Sequence, residues 1–313
     1  MAPGGYAWWY VDALSDDGRH ALAIIGFVGS VFSPYYARAR RRGAEQATDP
    51  ADPADPADHC ALNVALYGES AGGHRWAMTE RGRGRVQRDA STLAIGPSAM
   101  HWEGDALVID IDEVTVPLPR RLRGRLRLHP RALAGQSFGL DGGGLHRWRP
   151  IAPSARIEVE MTEPALRWRG EAYFDSNTGQ RPLEADFVRW NWSRAALADG
   201  RTAVLYDVAG RHDDALSLAL RFDRRGGCEP FDAPAITALP PAGWRMQRAT
   251  RCEEPVTPRV LRTLEDSPFY SRSLIESQLL GQRVRAVHES LSLDRWARPW
   301  CQWMLPFRMP RRA

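Results

Sequence analysis

The stretch from Leu140 to Gly179 reads LDGGGLHRWRPIAPSARIEVEMTEPALRWRGEAYFDSNTG and decides the fold class of the chain. Apolar and polar residues alternate in ARIEVEM and again in ALRWRGEAYFD, and a period of two predicts β-strands. The side chains of this stretch that can take part in chemistry are His146, Trp148, Trp168, Tyr173, Asp175 and Asn177. Strand periodicity places His146 and Trp148 on one face of their strand. It also places Tyr173 and Asp175 on one face of the next strand, so the two pairs converge if both strands border one cavity.

The composition predicts a mainly β protein with two domains. A length of 313 residues exceeds what a single hydrophobic core usually supports. The 27 glycines and 23 prolines favour short strands and many turns, and segments of this kind follow one another from residue 62 to residue 130. We therefore predict tandem antiparallel β domains at residues 1–145 and 146–313. Residues 38–60, which contain an Ala-Asp-Pro repeat, are expected to form an exposed loop.

An internal similarity supports the tandem arrangement. The segment WYVDALSDDGRHALAI, beginning at Trp9, is similar to WSRAALADGRTAVLY, beginning at Trp192. Each segment contains an indole, an Ala-Leu pair, an Asp-Gly turn, an arginine and an apolar strand, although hairpins converge easily on such patterns. The expected boundary is the glycine-rich turn at residues 142–144, and a cleft between two modules is a usual place for a ligand.

Several classes of function are excluded by composition. All 42 basic residues are arginines, so the chain has neither a Schiff-base lysine nor a GxxxxGK phosphate loop. The arginines at residues 120–127 alternate with apolar residues, and no nucleic-acid-binding module is recognisable. The four cysteines lie far apart without a CxxC motif, which predicts neither a zinc site nor a disulfide framework and fits a reducing cytosol.

Membrane contact is expected at the surface of the bilayer. The segment MAPGGYAWWYVD lacks the features of a signal peptide, and glycines, a serine and a proline interrupt the apolar run at residues 21–36. The C-terminal stretch WARPWCQWMLPFRMPRRA combines aromatic rings with arginines, as interfacial contacts do. The alternative is that this tail packs onto the sheet. The apolar hairpin at residues 24–36 is the second candidate for membrane contact.

The C-terminal third contains the best predicted helix. Apolar residues recur at helical intervals within residues 267–296, after a Ser-Pro start. We expect this minor helical segment to follow the β domains.

Six long motifs resemble one protein family. They are GGYAWWYVDALSDDG, FVGSVFSPYY, HRWRPIAP, RGEAYFDSNTG, PLEADFVRWNWSRA and TAVLYD. With these motifs, nearly the whole chain resembles the bacterial carotenoid 1,2-hydratases, also called hydroxyneurosporene synthases. The resemblance implies two tandem lipocalin-like β domains. It also implies hydration of the terminal double bond of acyclic carotenoids such as lycopene and neurosporene, without a cofactor and with no metal. Motif by motif, it places functional roles on His146, Trp148, Tyr173 and Asp175.

The chemistry of hydration fits these four residue types. Adding water to an unactivated alkene requires a positioned acid that protonates carbon, and burial favours the protonated form of a carboxyl group. Asp175 is the candidate acid. Protonation at C2 leaves a tertiary cation at C1, which the aromatic faces of Trp148 and Tyr173 can stabilise. His146 can accept the proton that the attacking water loses, or hold the water and orient Asp175.

Some of these residues have a structural alternative. Asp175 precedes Ser-Asn in DSNTG, where an aspartate often satisfies the backbone amides of a turn. Trp168, Trp190 and Trp192 are candidate substrate-binding residues, but indoles at such positions also belong to ordinary cores.

Two other functions compete with a hydratase. The first is a non-catalytic lipocalin-like carrier of an isoprenoid or lipid, which needs a cavity but no acid. The second is a carbohydrate-active enzyme that uses paired carboxylates such as Asp110 and Asp112. Because acyclic carotenoids reside in bilayers, we expect a cytoplasmic enzyme attached peripherally to the inner or intracytoplasmic membrane. Its expected partners are the carotenoid, water and the membrane surface, with no nucleic acid. The sequence does not predict the oligomeric state.

Overall fold

The computed structural model describes residues 1–45, 54–69, 73–212 and 215–312, apart from the side chains of residues 44 and 45. The chain forms two compact units. The first consists of Met1–Phe138, Leu145–Pro182 and Gln302–Ala313, and the second of Gly139–Gly144 and Leu183–Cys301.

A 13-stranded sheet, antiparallel except for its last short strand, builds the first unit. Its strands are β1 (Tyr6–Ser15), β2 (Ala21–Val28), β3 (Cys60–Tyr67), β4 (Arg75–Arg81), β5 (Val86–Arg88), β6 (Thr92–Ile95), β7 (Ser98–Glu103), β8 (Ala106–Val114), β9 (Arg121–Pro130), β10 (Phe138–Gly139), β11 (His146–Glu163), β12 (Leu166–Gly179) and β22 (Arg311–Arg312). They run in the order β22-β4-β3-β2-β1-β12-β11-β9-β8-β7-β6-β5, with β10 beside β11. This order places β1, β12 and β11 side by side.

A seven-stranded sheet and a small hairpin build the second unit. The sheet consists of β13 (Phe187–Ala196), β14 (Thr202–Gly210), β15 (Ala215–Phe222), β16 (Cys228–Pro230), β19 (Arg259–Asp266), β20 (Tyr270–Leu279) and β21 (Gln282–Ser292), in the order β16-β15-β14-β13-β21-β20-β19. The hairpin consists of β17 (Ile236–Leu239) and β18 (Arg248–Arg251). The α-helices of the described residues are α1 (Pro34–Glu45), α2 (Leu183–Asp186), α3 (Leu293–Trp296) and α4 (Pro299–Met304), and the 3-10 turns are Pro56–Asp58, Arg83–Arg85 and Leu305–Phe307. With 57% strand and 11% helix, the predicted mainly β class is confirmed.

The first sheet packs an apolar core against one face. Its other face carries polar and aromatic side chains. Val11 of β1 and Phe174 of β12 belong to a large buried apolar cluster. Because neighbouring strand residues point to opposite faces, Tyr10 and Asp175 lie on the face away from that cluster. Strand β11 has a register shift between Pro150 and Ala152. Such a bulge changes which residues face each side, so Pro150 pairs with Asp175 while Ala152 belongs to the apolar cluster.

The two similar segments found in the sequence both form hairpins. The first is β1 with β2, and the second is β13 with β14. Gly18 and Gly200 of the two Asp-Gly pairs have φ angles of +71° and +79°, a conformation that glycine adopts without steric cost.

Two expectations about the second half differ from the structure. The predicted boundary at residues 145/146 falls just before β11, but β11 and β12 pair with β9 and β1 and so complete the first sheet. The helix predicted within residues 267–296 is wrong. Residues 270–292 form the antiparallel pair β20 and β21, which Leu280 and Gly281 connect with φ angles of +52° and +72°. Burial alternates along both strands, and this tertiary packing prevails over the helical spacing of the apolar residues. The helical segment of the tail is limited to α3, α4 and one 3-10 turn.

The loop predicted at residues 38–60 is only partly described. Residues 38–45 continue α1, contrary to the prediction of a loop there, and residues 56–58 form a 3-10 turn. The centre of the Ala-Asp-Pro repeat, residues 46–53, lies outside the described residues. Within the described ranges, no helix combines the length and the apolar character needed to cross a bilayer.

Candidate active site

Three neighbouring strands of the first unit bring the candidate residues onto one face. The register aligns them in rows across β1, β12 and β11: Tyr6, Gly179 and His146 in one row, Trp8, Asn177 and Trp148 in the next, and Tyr10, Asp175 and Pro150 in the third. A fourth row pairs Asp12 with Tyr173. Every side chain in these rows is buried. The site is therefore a buried polar and aromatic surface on the face opposite the apolar core.

Asp175 is at the centre of a hydrogen-bonded group. Its Oδ2 accepts from the Trp148 indole N–H at 2.8 Å and from the Tyr173 O–H at 2.8 Å. The second contact confirms that Tyr173 and Asp175 share a face of β12. The register places His146 and Trp148 two positions apart on β11, and therefore on one face of that strand. Asp175 lies within β12 and not in a turn, so the structural alternative for this residue is wrong. Two donors on one oxygen stabilise the carboxylate that remains after the acid gives up its proton.

The Tyr173 phenol stays protonated at neutral pH. Burial is the main cause that raises its pKa well above 10, followed by the negative charge of Asp175 and, more weakly, that of Asp12. A protonated phenol can donate to Asp175 and present its ring to a ligand at the same time.

His146 lies at the other end of the rows. Its side chain is fully buried, and Nδ1 is 2.9 Å from the Tyr6 hydroxyl. The row partner of both residues is Gly179, where an added Cβ would collide with the Tyr6 ring and approach His146 Nδ1 to 2.8 Å. Glycine is therefore required for the two side chains to meet. Four strand positions separate Gly179 from Asp175, which is about 13 Å along β12.

The three candidate tryptophans lie in other places. Trp168 belongs to the apolar core of the first unit and stacks on His20 with a centroid separation of 6.4 Å. It therefore occupies the face of β12 opposite Asp175, because the two positions differ by seven, an odd number. Trp190 and Trp192 belong to the second unit, on the face of β13 away from the cluster that contains Ala195. Both indoles are buried, and Trp190 packs edge-on against Tyr206.

Strand β1 contributes a row of residues that was not predicted from the sequence. Tyr6, Trp8, Tyr10 and Asp12 alternate with apolar residues along this strand and share the face of Asp175. Tyr6 and Trp8 stack at 4.9 Å, and Tyr10 packs edge-on against Tyr173 at 6.2 Å. The signal was the alternation in YAWWYVD, which ends with a carboxyl group inside an apolar strand.

The paired carboxylates proposed for a carbohydrate-active enzyme are surface residues. Asp110 and Asp112 extend from the same face of β8, partly exposed. Asp110 forms an ion pair with Arg125 at 2.6 Å, and Asp112 forms one with Arg121 at 3.0 Å. Cross-strand pairs of this kind are ordinary features of a solvated sheet face, so nothing at these residues favours sugar chemistry.

Comparisons with known proteins agree with the motifs. Residues 24–313 match the profile of the family described as carotenoid hydratase CrtC. The chain is 54% identical over 312 residues to the acyclic carotenoid 1,2-hydratase of Thiocapsa roseopersicina, covering 99% of this chain and 74% of that protein. It is 52% identical over 313 residues to the acyclic carotenoid 1,2-hydratase of Rubrivivax gelatinosus, covering 100% and 75%.

Two solved structures share the fold. The crystal structure of an AttH protein from Nitrosomonas europaea aligns with a TM-score of 0.60 and 14% identity, covering 92% of each chain. The structure of CghA with Sch210972 aligns with a TM-score of 0.51 and 13% identity, covering 94% of this chain and 90% of the other. These similarities concern the fold alone and confirm the predicted lipocalin-like architecture. Since the family profile covers most of the chain and both relatives are more than half identical to it, this chain belongs to the carotenoid hydratase family of enzymes.

Proposed function

We propose that this chain adds water across the terminal C1=C2 double bond of acyclic carotenoids of the lycopene and neurosporene type, giving a 1-hydroxy tertiary alcohol. Family membership and the names of the two relatives support the reaction. The observation that carries the proposal is the buried carboxyl group of Asp175, held by Trp148 and Tyr173 on a face rich in aromatic rings. The chemistry needs no cofactor, because an acid, a water molecule and a base suffice.

The first step is protonation of carbon. Asp175 donates its proton to C2, and the positive charge forms at C1, where two methyl groups and the chain stabilise it. The indole of Trp148 and the phenol of Tyr173 both contact Asp175, so a substrate carbon beside the acid also lies beside their rings. An aromatic face stabilises a desolvated cation by about 2 kcal/mol.

The second step is attack of water on C1. For His146 we retain the two roles predicted from the sequence, proton acceptor or orienting group. Its contact with Tyr6 fixes one ring nitrogen, and a neutral imidazole can then present the other nitrogen to a water or a neighbouring group. Trp190 and Trp192 remain proposed substrate contacts. Trp168 does not, since it lies in the core.

The proposed location is the cytoplasmic surface of a membrane, contacted by the C-terminal tail. The rings of Trp303 and Phe307 are 73% and 67% exposed and pack against each other at 5.7 Å, and Arg308 follows them. Aromatic rings next to a guanidinium suit the interface of an anionic bilayer. The alternative surface at residues 24–36 cannot serve, because most of its apolar side chains, including Phe27 and Tyr36, are buried.

The tail can be tested without truncation. Replacing Trp303 and Phe307 by serine should reduce co-sedimentation with phosphatidylglycerol-rich vesicles by about tenfold or more, since each buried ring contributes about 1.5–3 kcal/mol. Leu133→Ser, at a residue of the first unit that is also well exposed, is the matched control and should leave binding unchanged. Equal sedimentation of the double variant and the control would assign the contact to another surface.

The function itself is tested by the mass of the product. We expect purified protein, incubated with lycopene in detergent and H₂¹⁸O, to yield a product heavier than lycopene by one labelled water. The isotope distinguishes enzymatic addition from oxidation by air. A red-shifted polyene spectrum without any gain in mass would instead identify a carrier.

A further inference from the structure

The site contains a second buried carboxyl group. Asp12 of β1 is 0% exposed and pairs across the sheet with Tyr173, while its neighbour on the same face, Tyr10, pairs with Asp175. Asp12 is thus the diagonal neighbour of Asp175 on the adjacent strand. Diagonal positions of this kind are about 7–8 Å apart.

The contacts connect the two carboxyl groups through aromatic side chains. The Tyr10 O–H donates to Asp12 Oδ2 at 3.0 Å, and the Tyr173 O–H donates to Asp175 Oδ2 at 2.8 Å. The two phenol rings pack edge-on at 6.2 Å. Both carboxyl groups are close enough to act on the Tyr173 phenol electrostatically. Asp12 therefore faces the same small volume as the proposed acid.

Carboxyl groups on diagonal strand positions, whose backbones are about 7–8 Å apart, can serve as an acid and a base when water attacks between them. In inverting glycoside hydrolysis, for example, the two carboxyl groups are about 6.5–9.5 Å apart, which leaves room for a water molecule. Hydration has the same requirement, because one group protonates C2 while another deprotonates the water that adds to the adjacent carbon. His146 is less favourably placed, since its row lies about 13 Å along the strand from Asp175.

We propose, on the basis of the proposed hydratase function, that Asp12 is the catalytic base that takes the proton from the attacking water. The π electrons of C1=C2 form the new C2–H bond with the proton of Asp175, leaving a cation at C1. A lone pair of the water then forms the C1–O bond while one O–H bond breaks and its proton moves to the Asp12 carboxylate. Return of this proton to Asp175 restores both groups.

Azide addition distinguishes a base role of Asp12 from a purely structural role. Asp12→Asn keeps an oxygen that can accept from Tyr10 but removes the base, so hydration should fall by a factor of about 10² to 10⁴. Azide attacks a cation without losing a proton. We therefore expect this variant, given lycopene and sodium azide, to form the 1-azido adduct, which is heavier than lycopene by one HN₃. Asp175→Asn should form neither product, because the cation never arises.

The controls separate failure of this inference from failure of the function. Asp110→Asn changes a surface aspartate of the same unit and should hydrate like wild type. Hydration by Asp12→Asn within threefold of wild type would overturn the base role, as would loss of both hydration and azide addition in a folded variant that still shifts the polyene spectrum. If Asp12→Asn does not fold, Asp12→Glu substitutes for it: partial hydration supports the base role, and none with polyene binding intact overturns it. A wild-type protein that hydrates no acyclic polyene would refute the function itself.

Discussion

Each unit of the protein has a fully buried histidine, and the two histidines have different surroundings. His288 lies in the second unit on the face of β21 that carries Ala286 of the apolar cluster. Its Nε2 is 3.0 Å from the Ser290 hydroxyl, which donates to Asn191 Oδ1 at 2.6 Å. Ser290 therefore accepts from Nε2–H, and Nδ1 accepts from the Ser193 hydroxyl at 2.7 Å.

The network around His288 is neutral, whereas the site around His146 contains carboxyl groups. Burial, with a smaller contribution from the charge of Arg248, lowers the pKa of His288 to about 3, so its partners hydrogen-bond a neutral ring. His146 instead lies on the sheet face that carries Asp12 and Asp175, among stacked aromatic rings. Burial alone thus does not identify a catalytic histidine, and the face of the sheet and the charges on it are more informative.

Replacing each histidine by glutamine should give the largest difference between the two units, a loss of stability in one variant and a loss of activity in the other. His288→Gln should lower the free energy of unfolding by about 3 kcal/mol, because buried hydroxyl partners lose their hydrogen bonds and packing is disturbed. Activity per folded molecule should stay within twofold of wild type. His146→Gln should instead reduce hydration at least tenfold per folded molecule. Chemical denaturation together with hydratase assays measures both, and equal losses of activity in the two variants would remove the distinction.

Lowering the pH should destabilise the folded protein through His288. Its pKa is about 3 in the folded protein and near 6.5 when unfolded, so the unfolded state binds the proton more readily. The contribution to stability is complete above pH 6.5 and is lost as the pH falls towards 3, by about 1.4 kcal/mol per pH unit. Denaturant titrations of wild type and His288→Gln at pH 7, 6, 5 and 4 should converge in stability. Parallel curves would show that the pKa of His288 does not change on folding.

Removing one hydrogen-bond donor should have a smaller effect than replacing a histidine. In the first unit it should lower kcat, and in the second unit it should lower the free energy of unfolding. Tyr173→Phe keeps the ring but removes the bond to Asp175, and we expect kcat to fall about tenfold, corresponding to about 1.4 kcal/mol. Ser193→Ala removes the bond to His288 and should cost about 1 kcal/mol of stability with no change in kcat. A stability loss without a kcat effect in Tyr173→Phe would make that hydroxyl structural.

The smallest effect is expected at the surface. Asp110→Asn breaks an ion pair with Arg125 that is open to solvent, and such pairs contribute about 0.5 kcal/mol. Unfolding and hydration should both match wild type within about that margin. A loss of hydration of tenfold or more would show that this β8 carboxylate takes part in the hydration reaction.

The sequence predicted the local geometry of the site better than its long-range pairing. A period of two was enough to place Tyr173 with Asp175 and His146 with Trp148. It did not identify Asp12, because the partner of Asp12 lies more than 160 residues away in the chain and alternation within one strand says nothing about its neighbour. The same alternation, counted from Asp175, would have placed Trp168 on the core face.

At residues 270–292 the local pattern itself was misleading, because it predicted a helix where the chain forms a hairpin. Apolar residues there fit a helical spacing, but the alternating burial along β20 and β21 is a tertiary result that local spacing does not encode. The family resemblance, by contrast, depended on motifs spread along nearly the whole chain. It therefore predicted the class of fold and enzyme even where the assignment of single elements was wrong.

The proposed mechanism requires Asp175 as the acid that protonates carbon, and Asp175→Asn tests this requirement directly. The amide keeps the size of the side chain and an oxygen that can accept from Trp148 and Tyr173, but its N–H protons are not acidic enough to protonate carbon. We expect the folded variant to bind lycopene with the wild-type spectral shift and to form no hydrated product in H₂¹⁸O during an incubation in which wild type converts its substrate completely. Hydration within tenfold of the wild-type rate would show that Asp175 is not the acid.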